Sequence, residues 1–192
     1  MWFGCADHGA GKVSNGKITG VDINQSLLGR LERKIEEAGL SDRVKTMNCS
    51  MSDMDFPDES FDIIWAEGSI AIIGFEKGLK GWGRLLKTNG FLVVHDDIGD
   101  LAYKKEQIAG NGYELLHYFT LSENIWWKEY YAPMENQINQ LKAECAGEHE
   151  LLNELGDAER EVDMFKKDTA RFRSVFFIMK KLPQKEKELC RK

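Results

Sequence analysis

Lys17-Ile18-Thr19-Gly20-Val21-Asp22-Ile23 is a short β-branched run that carries an acidic residue near its end. Turn residues bound it, so it reads as a strand. From Ser26 to Gly39, Leu27, Leu28, Leu31, Ile35 and Ala38 recur at helical spacing, and Gly39 is a natural C-terminal cap. The stretch is therefore strand, turn, helix, with Asp22 at the turn. A carboxylate at that place suits the two hydroxyls of a ribose, from each of which it accepts a hydrogen bond. It equally suits the N-cap of the helix. The residues alone leave both readings open.

The same alternation continues outward. Arg43-Val44-Lys45-Thr46-Met47 is a second strand, and Asp55 to Ser60 is a turn-rich loop. Phe61-Asp62-Ile63-Ile64-Trp65-Ala66 is an apolar strand ending near Glu67-Gly68. Phe75 to Leu86 reads as a helix interrupted by glycines, Lys87 to Gly90 as a turn, and Gly90 to His95 as a fully apolar strand. Apolar strands separated by helices imply a parallel sheet covered on both faces, with ligands at the carboxyl ends of its strands. The second half differs. Tyr113 to Leu121 reads as a strand, Trp126 to Ala146 and Glu148 to Asp168 as long charged helices, and Arg173 to Lys181 as the last strand. We expect one domain over 1–182, with a helical insert at 122–170 and a polar tail at 183–192.

Composition narrows the function classes. The chain has 192 residues, 42% hydrophobic and 30% charged, with a net charge of −6. That suits one soluble globular domain. It offers neither a basic footprint for nucleic acid nor a polybasic anchor for lipid. No apolar run approaches the roughly 20 residues of a membrane span, and the start has no signal-peptide pattern. Cys5, Cys49, Cys145 and Cys190 lie far apart. They suggest neither a zinc site nor a disulfide framework, and read as reduced thiols of a cytoplasmic protein.

Further candidates sit at the other predicted strand ends. Gly4-Cys5-Ala6-Asp7-His8-Gly9-Ala10-Gly11 is glycine-rich, so its backbone N–H groups could approach a cofactor closely. It fits neither the Walker A nor the GxGxxG spacing. Cys49-Ser50-Met51 and Ala66-Glu67-Gly68 follow strands, with plain loop as the alternative for each. Trp126, Trp127, Tyr130 and Tyr131 either line an acceptor pocket or pack the helical segment, and packing is the commoner use. His95 is a base candidate that is as readily structural. No histidine or acidic pair at ligand spacing suggests a metal. A nicotinamide reductase is disfavoured, because the glycine spacing is wrong and no tyrosine is followed four residues later by lysine.

In order and spacing, residues 16 to 95 resemble the class I S-adenosylmethionine-dependent methyltransferases, near their small-molecule, ubiquinone/menaquinone-type branch. Asn15 to Ile23 is similar to the family's second strand with its acidic ribose ligand. Phe56-Pro57-Asp58-Glu59-Ser60-Phe61-Asp62-Ile63-Ile64-Trp65 resembles its loop and fourth strand. Arg84-Leu85-Leu86-Lys87-Thr88-Asn89-Gly90-Phe91-Leu92-Val93-Val94 resembles its "RLLKPGG" turn and fifth strand, with Thr88-Asn89 in place of Pro-Gly. The resemblance implies a Rossmann-like α/β sheet, mostly parallel, with an antiparallel last strand preceded by the helical insert. It implies S-adenosylmethionine as cofactor and a small-molecule methyl acceptor. Cofactor contacts carry over to Gly4, Cys5, Asp22, Ile23, Ser50, Met51 and Glu67: Asp22 for ribose, Ser50 and Met51 for adenine, Glu67 near the methionine end. No catalytic residue carries over.

The family's N-terminal helices and most of its first strand have no counterpart, so the chain reads as N-terminally truncated. A central gap would leave backbone groups unpaired, at a cost of several kcal/mol. Either the second and fourth strands pair directly or a second copy of the chain fills the place; the latter makes a homo-oligomer the expectation. The shortened loop also supports an alternative function, a non-catalytic or truncated methyltransferase-fold protein with weak or no cofactor binding.

Overall fold

A computed structural model describes residues 2–3, 15–144 and 149–183. The chain divides into two compact units, Met1–Tyr118 with Phe176–Lys192, and Phe119–Val175. The strands are β1 (Trp2–Phe3), β2 (Ile18–Asp22), β3 (Val44–Asn48), β4 (Phe61–Glu67), β5 (Leu86–Asp97), β6 (Tyr113–Leu121) and β7 (Ser174–Lys181). They form one sheet in the order β3-β2-β1-β4-β5-β7-β6. The pairs from β3 to β5 are parallel, and β7, the last strand in sequence, is antiparallel and lies between β5 and β6.

β1 corrects one expectation. Trp2 pairs with Gly20 on one side and Trp65 on the other, and Phe3 pairs with Ala66. β2 and β4 therefore do not meet directly, and the chain itself occupies the central place. Sheet pairing uses backbone groups alone, so two extended residues suffice to bridge the slot. The strand-filling reason for a second copy falls away.

In the first unit, helix α1 (Gln25–Glu37) lies against β2 and β3. Asn24 caps it, its side-chain oxygen accepting from the N–H groups of Ser26 and Leu27 at 2.9 and 3.2 Å. Gly39, at φ +65°, ends it as expected. Gly20 lets it approach: a Cβ there would stand 3.0 Å from Leu31 Cδ2. Helices α2 (Ile70–Ile73) and α3 (Phe75–Gly83) follow β4. Around them, Ile64, Ala66, Leu92 and Val94 are fully buried, as are Leu79 and Trp82 of α3. Tyr113 of β6 donates to Leu79 O at 2.9 Å, and Phe177 of β7 meets Phe75 edge-on at 5.6 Å. Helix α4 (Leu101–Gly110) was not expected from the sequence.

The predicted turn at Lys87 to Gly90 is a bulge inside β5. Phe61 pairs with Leu86 and Ile63 with Phe91, so Lys87 to Gly90 stand opposite Asp62 alone. Asn89 takes φ +65°, and a Cβ on Gly90 would lie 2.9 Å from Lys87 O and 3.0 Å from Asp62 O. Only glycine fits there.

The second unit contains α5 (Glu123–Trp126), a π-helical turn Trp127–Tyr131, α6 (Ala132–Glu144) and α7 (His149–Lys167). Tyr131, Ile138, Leu155, Val162 and Phe165 form its core. Tyr131 stacks on Phe165 at 4.1 Å, and Trp127 stacks on Phe165 at 6.0 Å. Trp126, Trp127 and Tyr131 of the aromatic group thus pack this core, whereas Tyr130 is 43% exposed. Burial, then the neighbouring Glu161, push the Tyr131 hydroxyl up to about 12.

Candidate functional site

The site is built by strand register. Gly20, Trp2 and Trp65 stand side by side, and Trp65 pairs with Val93. Two residues further along each strand, Asp22, Glu67 and His95 therefore share one row, to which β3 adds Asn48 as the partner of Asp22. In-register residues of a parallel sheet project from the same face. Gly4 and Cys5 lie outside the described residues.

Asp22 is not the helix cap; that place belongs to Asn24. One Asp22 carboxylate oxygen accepts from the Asn24 backbone N–H at 2.8 Å, which fixes the carboxylate at the strand end. The second oxygen makes no hydrogen bond among the described residues. Ile23, beside it, is 70% exposed, leaving an apolar surface next to a hydrogen-bond acceptor. Asn48 Nδ2 donates to Ile23 O at 3.0 Å, and the Cys49 N–H donates to Asp22 O at 3.2 Å. These bonds tie the end of β3 to the end of β2.

Ser50 and Met51 follow β3. The Ser50 and Ser52 hydroxyls share a 2.8 Å hydrogen bond, and Met51 O accepts from Trp82 Nε1 at 2.9 Å. Trp82 is 1% exposed, so this loop is anchored to the core of the unit. Glu67 ends β4 and accepts from Trp65 Nε1 at 2.7 Å. Gly68 follows at φ +62° and donates to His95 O at 3.0 Å. The structure thus brings Asp22, Ile23 and Glu67 to one edge, with Ser50 and Met51 on the adjoining loop.

His95 is 9% exposed and stacks on Phe176 at 4.5 Å and 22°. Burial lowers its pKa, which keeps the imidazole neutral at pH 7. Behind it lies a buried ion pair: Lys104 Nζ stands 2.7 Å from Asp96 Oδ2 and 2.7 Å from Asp97 O. Burial raises the Asp96 carboxyl, and Lys104 opposes that. A cavity of about 420 Å³ opens between the 51–54 loop and α2–α3, lined by Met51, Met54, Ile72, Lys77, Trp82 and Arg84 among others. Neither Asp22 nor Glu67 lines it, so it flanks the row and does not contain it.

Sequence reasoning missed the supporting residues Asn48, Trp65, Trp82 and Lys104. Trp82 stands three residues after Leu79 on the apolar side of its helix, a spacing that marks it as core. Nothing in the sequence pairs Lys104 with Asp96.

Residues 5–90 match the family described as "Methyltransferase domain". A sterol 4-C-methyltransferase of Caenorhabditis elegans is 32% identical over 146 residues, 74% of this chain and 38% of the relative. The chain spans about a third of the length of the first curated relatives it matches. Among solved structures, the [4+2]-cyclase SpnF superposes with a TM-score of 0.74 at 19% identity, over 94% of this chain and 73% of that one. A phosphoethanolamine N-methyltransferase 2 of Haemonchus contortus, in complex with S-adenosyl-L-methionine, gives 0.74 at 16% identity, over 95% and 48%. At such identities the likeness concerns the fold alone. Residues 5–90 are thus similar to a methyltransferase domain, and the chain has the Rossmann-like fold of methyltransferases. Among the described residues, no helix is long and apolar enough to cross a membrane.

Proposed function

We propose that this chain is the core of an S-adenosylmethionine-dependent methyltransferase acting on a small-molecule acceptor in the cytoplasm. The observation that carries the reading is the row of Asp22, Glu67 and His95 at the carboxyl edge of a methyltransferase sheet. The donor set fits the cofactor. Asp22 presents a fixed carboxylate that accepts from a ribose diol, and the exposed Ile23 beside it offers an apolar surface to adenine. Ser50 and Met51 flank the adenine from the loop held by Trp82. Glu67, held by Trp65, takes the methionine end. Gly4 and Cys5 belong to the same reading as the close-approach loop.

When bound, the cofactor supplies an electrophilic methyl group on a sulfonium. The chain's own residues then need to hold donor and acceptor in line and keep water out, a contribution of proximity. The sterol and phosphoethanolamine enzymes support a small lipid-related acceptor. The ubiquinone/menaquinone-type branch belongs to the same chemical range.

Calorimetric titration with S-adenosylmethionine tests the reading, with micromolar binding expected. Asp22→Ala removes two charge-assisted hydrogen bonds and weakens binding by about 100-fold. Absence of heat at millimolar ligand refutes the enzyme reading and favours the non-catalytic alternative.

A further inference from the structure

We propose that His95 lines the methyl-transfer point and is the base that accepts the proton of a hydroxyl or amine acceptor. The inference rests on the cofactor reading above. It starts from the order of residues along the sheet edge. Asp22 takes the ribose and Glu67 the methionine end; His95 is the next member of the row, the register partner of Glu67. Neighbouring strands lie about 4.8 Å apart, so His95 stands one strand beyond the group assigned to the amino-acid end of the cofactor.

The imidazole has the properties of a base. Stacking on Phe176 holds its plane, and the small residual exposure keeps bulk water away. Burial favours the neutral form, which can take up a proton. Its register partner on β4 is the charged Glu67, Asp96 and Asp97 follow it on its own strand, and Lys104 of α4 is paired with both aspartates. Phe176, from β7, brings no charge. Lys104 is bound between Asp96 and Asp97, so its charge is compensated locally.

The step balances without another reactant. The methyl carbon leaves the sulfonium sulfur for the acceptor oxygen or nitrogen. The electron pair of the broken bond stays on sulfur, giving a neutral thioether. The acceptor's proton passes to the imidazole and is released to solvent as product leaves.

The test uses the change of charge at sulfur. S-adenosylmethionine and S-adenosylhomocysteine share adenosine and amino-acid groups but differ in the positive sulfonium. Their affinities are measured by calorimetry between pH 7.5 and 4.5 for the wild type, His95→Gln and His95→Asn, each checked for folding by circular dichroism. If His95 lines the transfer point, its protonation repels the sulfonium alone. The affinity ratio of the methylated to the demethylated ligand then falls about tenfold in the wild type as pH drops, and stays flat in the variants. Acid effects from groups other than His95 appear alike in the wild type and in the variants, so the difference between their ratio curves isolates His95. A ratio with the same pH course in wild type and variants overturns the proposal while leaving the cofactor reading intact. Failure of both ligands to bind at pH 7.5 overturns the cofactor reading, and this proposal with it.

Discussion

Replacing Lys104 by methionine isolates what the end of β5 depends on. Asp96 is 3% exposed and Lys104 8%, and among the described residues their 2.7 Å contact is the one hydrogen bond from a side chain to the Asp96 carboxylate. Methionine keeps the stem volume but removes the ammonium, leaving an uncompensated buried charge. Breaking such a pair costs about 3–5 kcal/mol, a large share of the roughly 5–15 kcal/mol that holds a domain together. The cost has a characteristic pH course. Burial already raises the folded-state pKa of Asp96 above the ordinary 3.8, and Lys104 is the main influence opposing it. Without Lys104 the folded pKa rises further. A carboxyl raised on folding contributes stability that is complete below its unfolded pKa and lost as pH climbs through its folded one. The variant therefore lies closest to the wild type near pH 4 and falls further behind towards pH 7. Urea unfolding at a series of pH values reads this directly, provided the slope with denaturant is unchanged. Asp96→Leu together with Lys104→Met removes both charges and regains at least half of the loss, because the two sites are coupled. A loss under about 1 kcal/mol at pH 7, a gap that does not change with pH, or a double variant as unstable as the sum of the singles refutes the argument.

Two further substitutions probe the packing that carries the site. Gly78→Ala puts a Cβ 2.6 Å from Ile70 Cγ1 and 2.8 Å from Ile70 Cδ1, so thermal unfolding shows a loss of about 1–3 kcal/mol; an unchanged melting temperature refutes it. Trp82→Phe leaves Met51 O without its donor, costing about 1–3 kcal/mol and loosening the loop that carries Ser50 and Met51. Calorimetry then shows cofactor affinity falling more than that of the Gly78 variant, and equal affinities count against the loop's role.

Much of the sheet was legible because its strands are apolar runs separated by turn residues. Phe61 to Glu67 and Tyr113 to Leu121 appear where that pattern puts them. The sequence misleads where one residue serves two geometries. Lys87-Thr88-Asn89-Gly90 has turn chemistry, with a positive φ at Asn89, yet the strand runs through it as a bulge. Helix α4 escaped notice because Leu101 to Gly110 has little amphipathic contrast; its buried members are Lys104 and Ile108, one of them charged. The positions of Asp22 and Glu67 at strand ends were legible, since each closes an apolar run. Their supports were not. Asn48 and Trp82 act across 25 and 31 residues of sequence separation, through hydrogen bonds that no local pattern encodes.

The two residues of β1 matter to the site more than their number suggests. From sequence, the segment before β2 reads as a hole in the sheet. Direct pairing of β2 with β4 would close that hole by moving Asp22 one strand, about 4.8 Å, closer to Glu67. Trp2 instead pairs with Gly20 and with Trp65 at once. This keeps one strand of width between the carboxylate assigned to ribose and the one assigned to the methionine end. It also sets the register: with Gly20 and Trp65 locked to the same residue, Asp22 and Glu67 must end their strands at the same height. A slip of one residue on either side would turn one carboxylate to the opposite face of the sheet. The shortest strand is thus the element that makes the row at the carboxyl edge a single site.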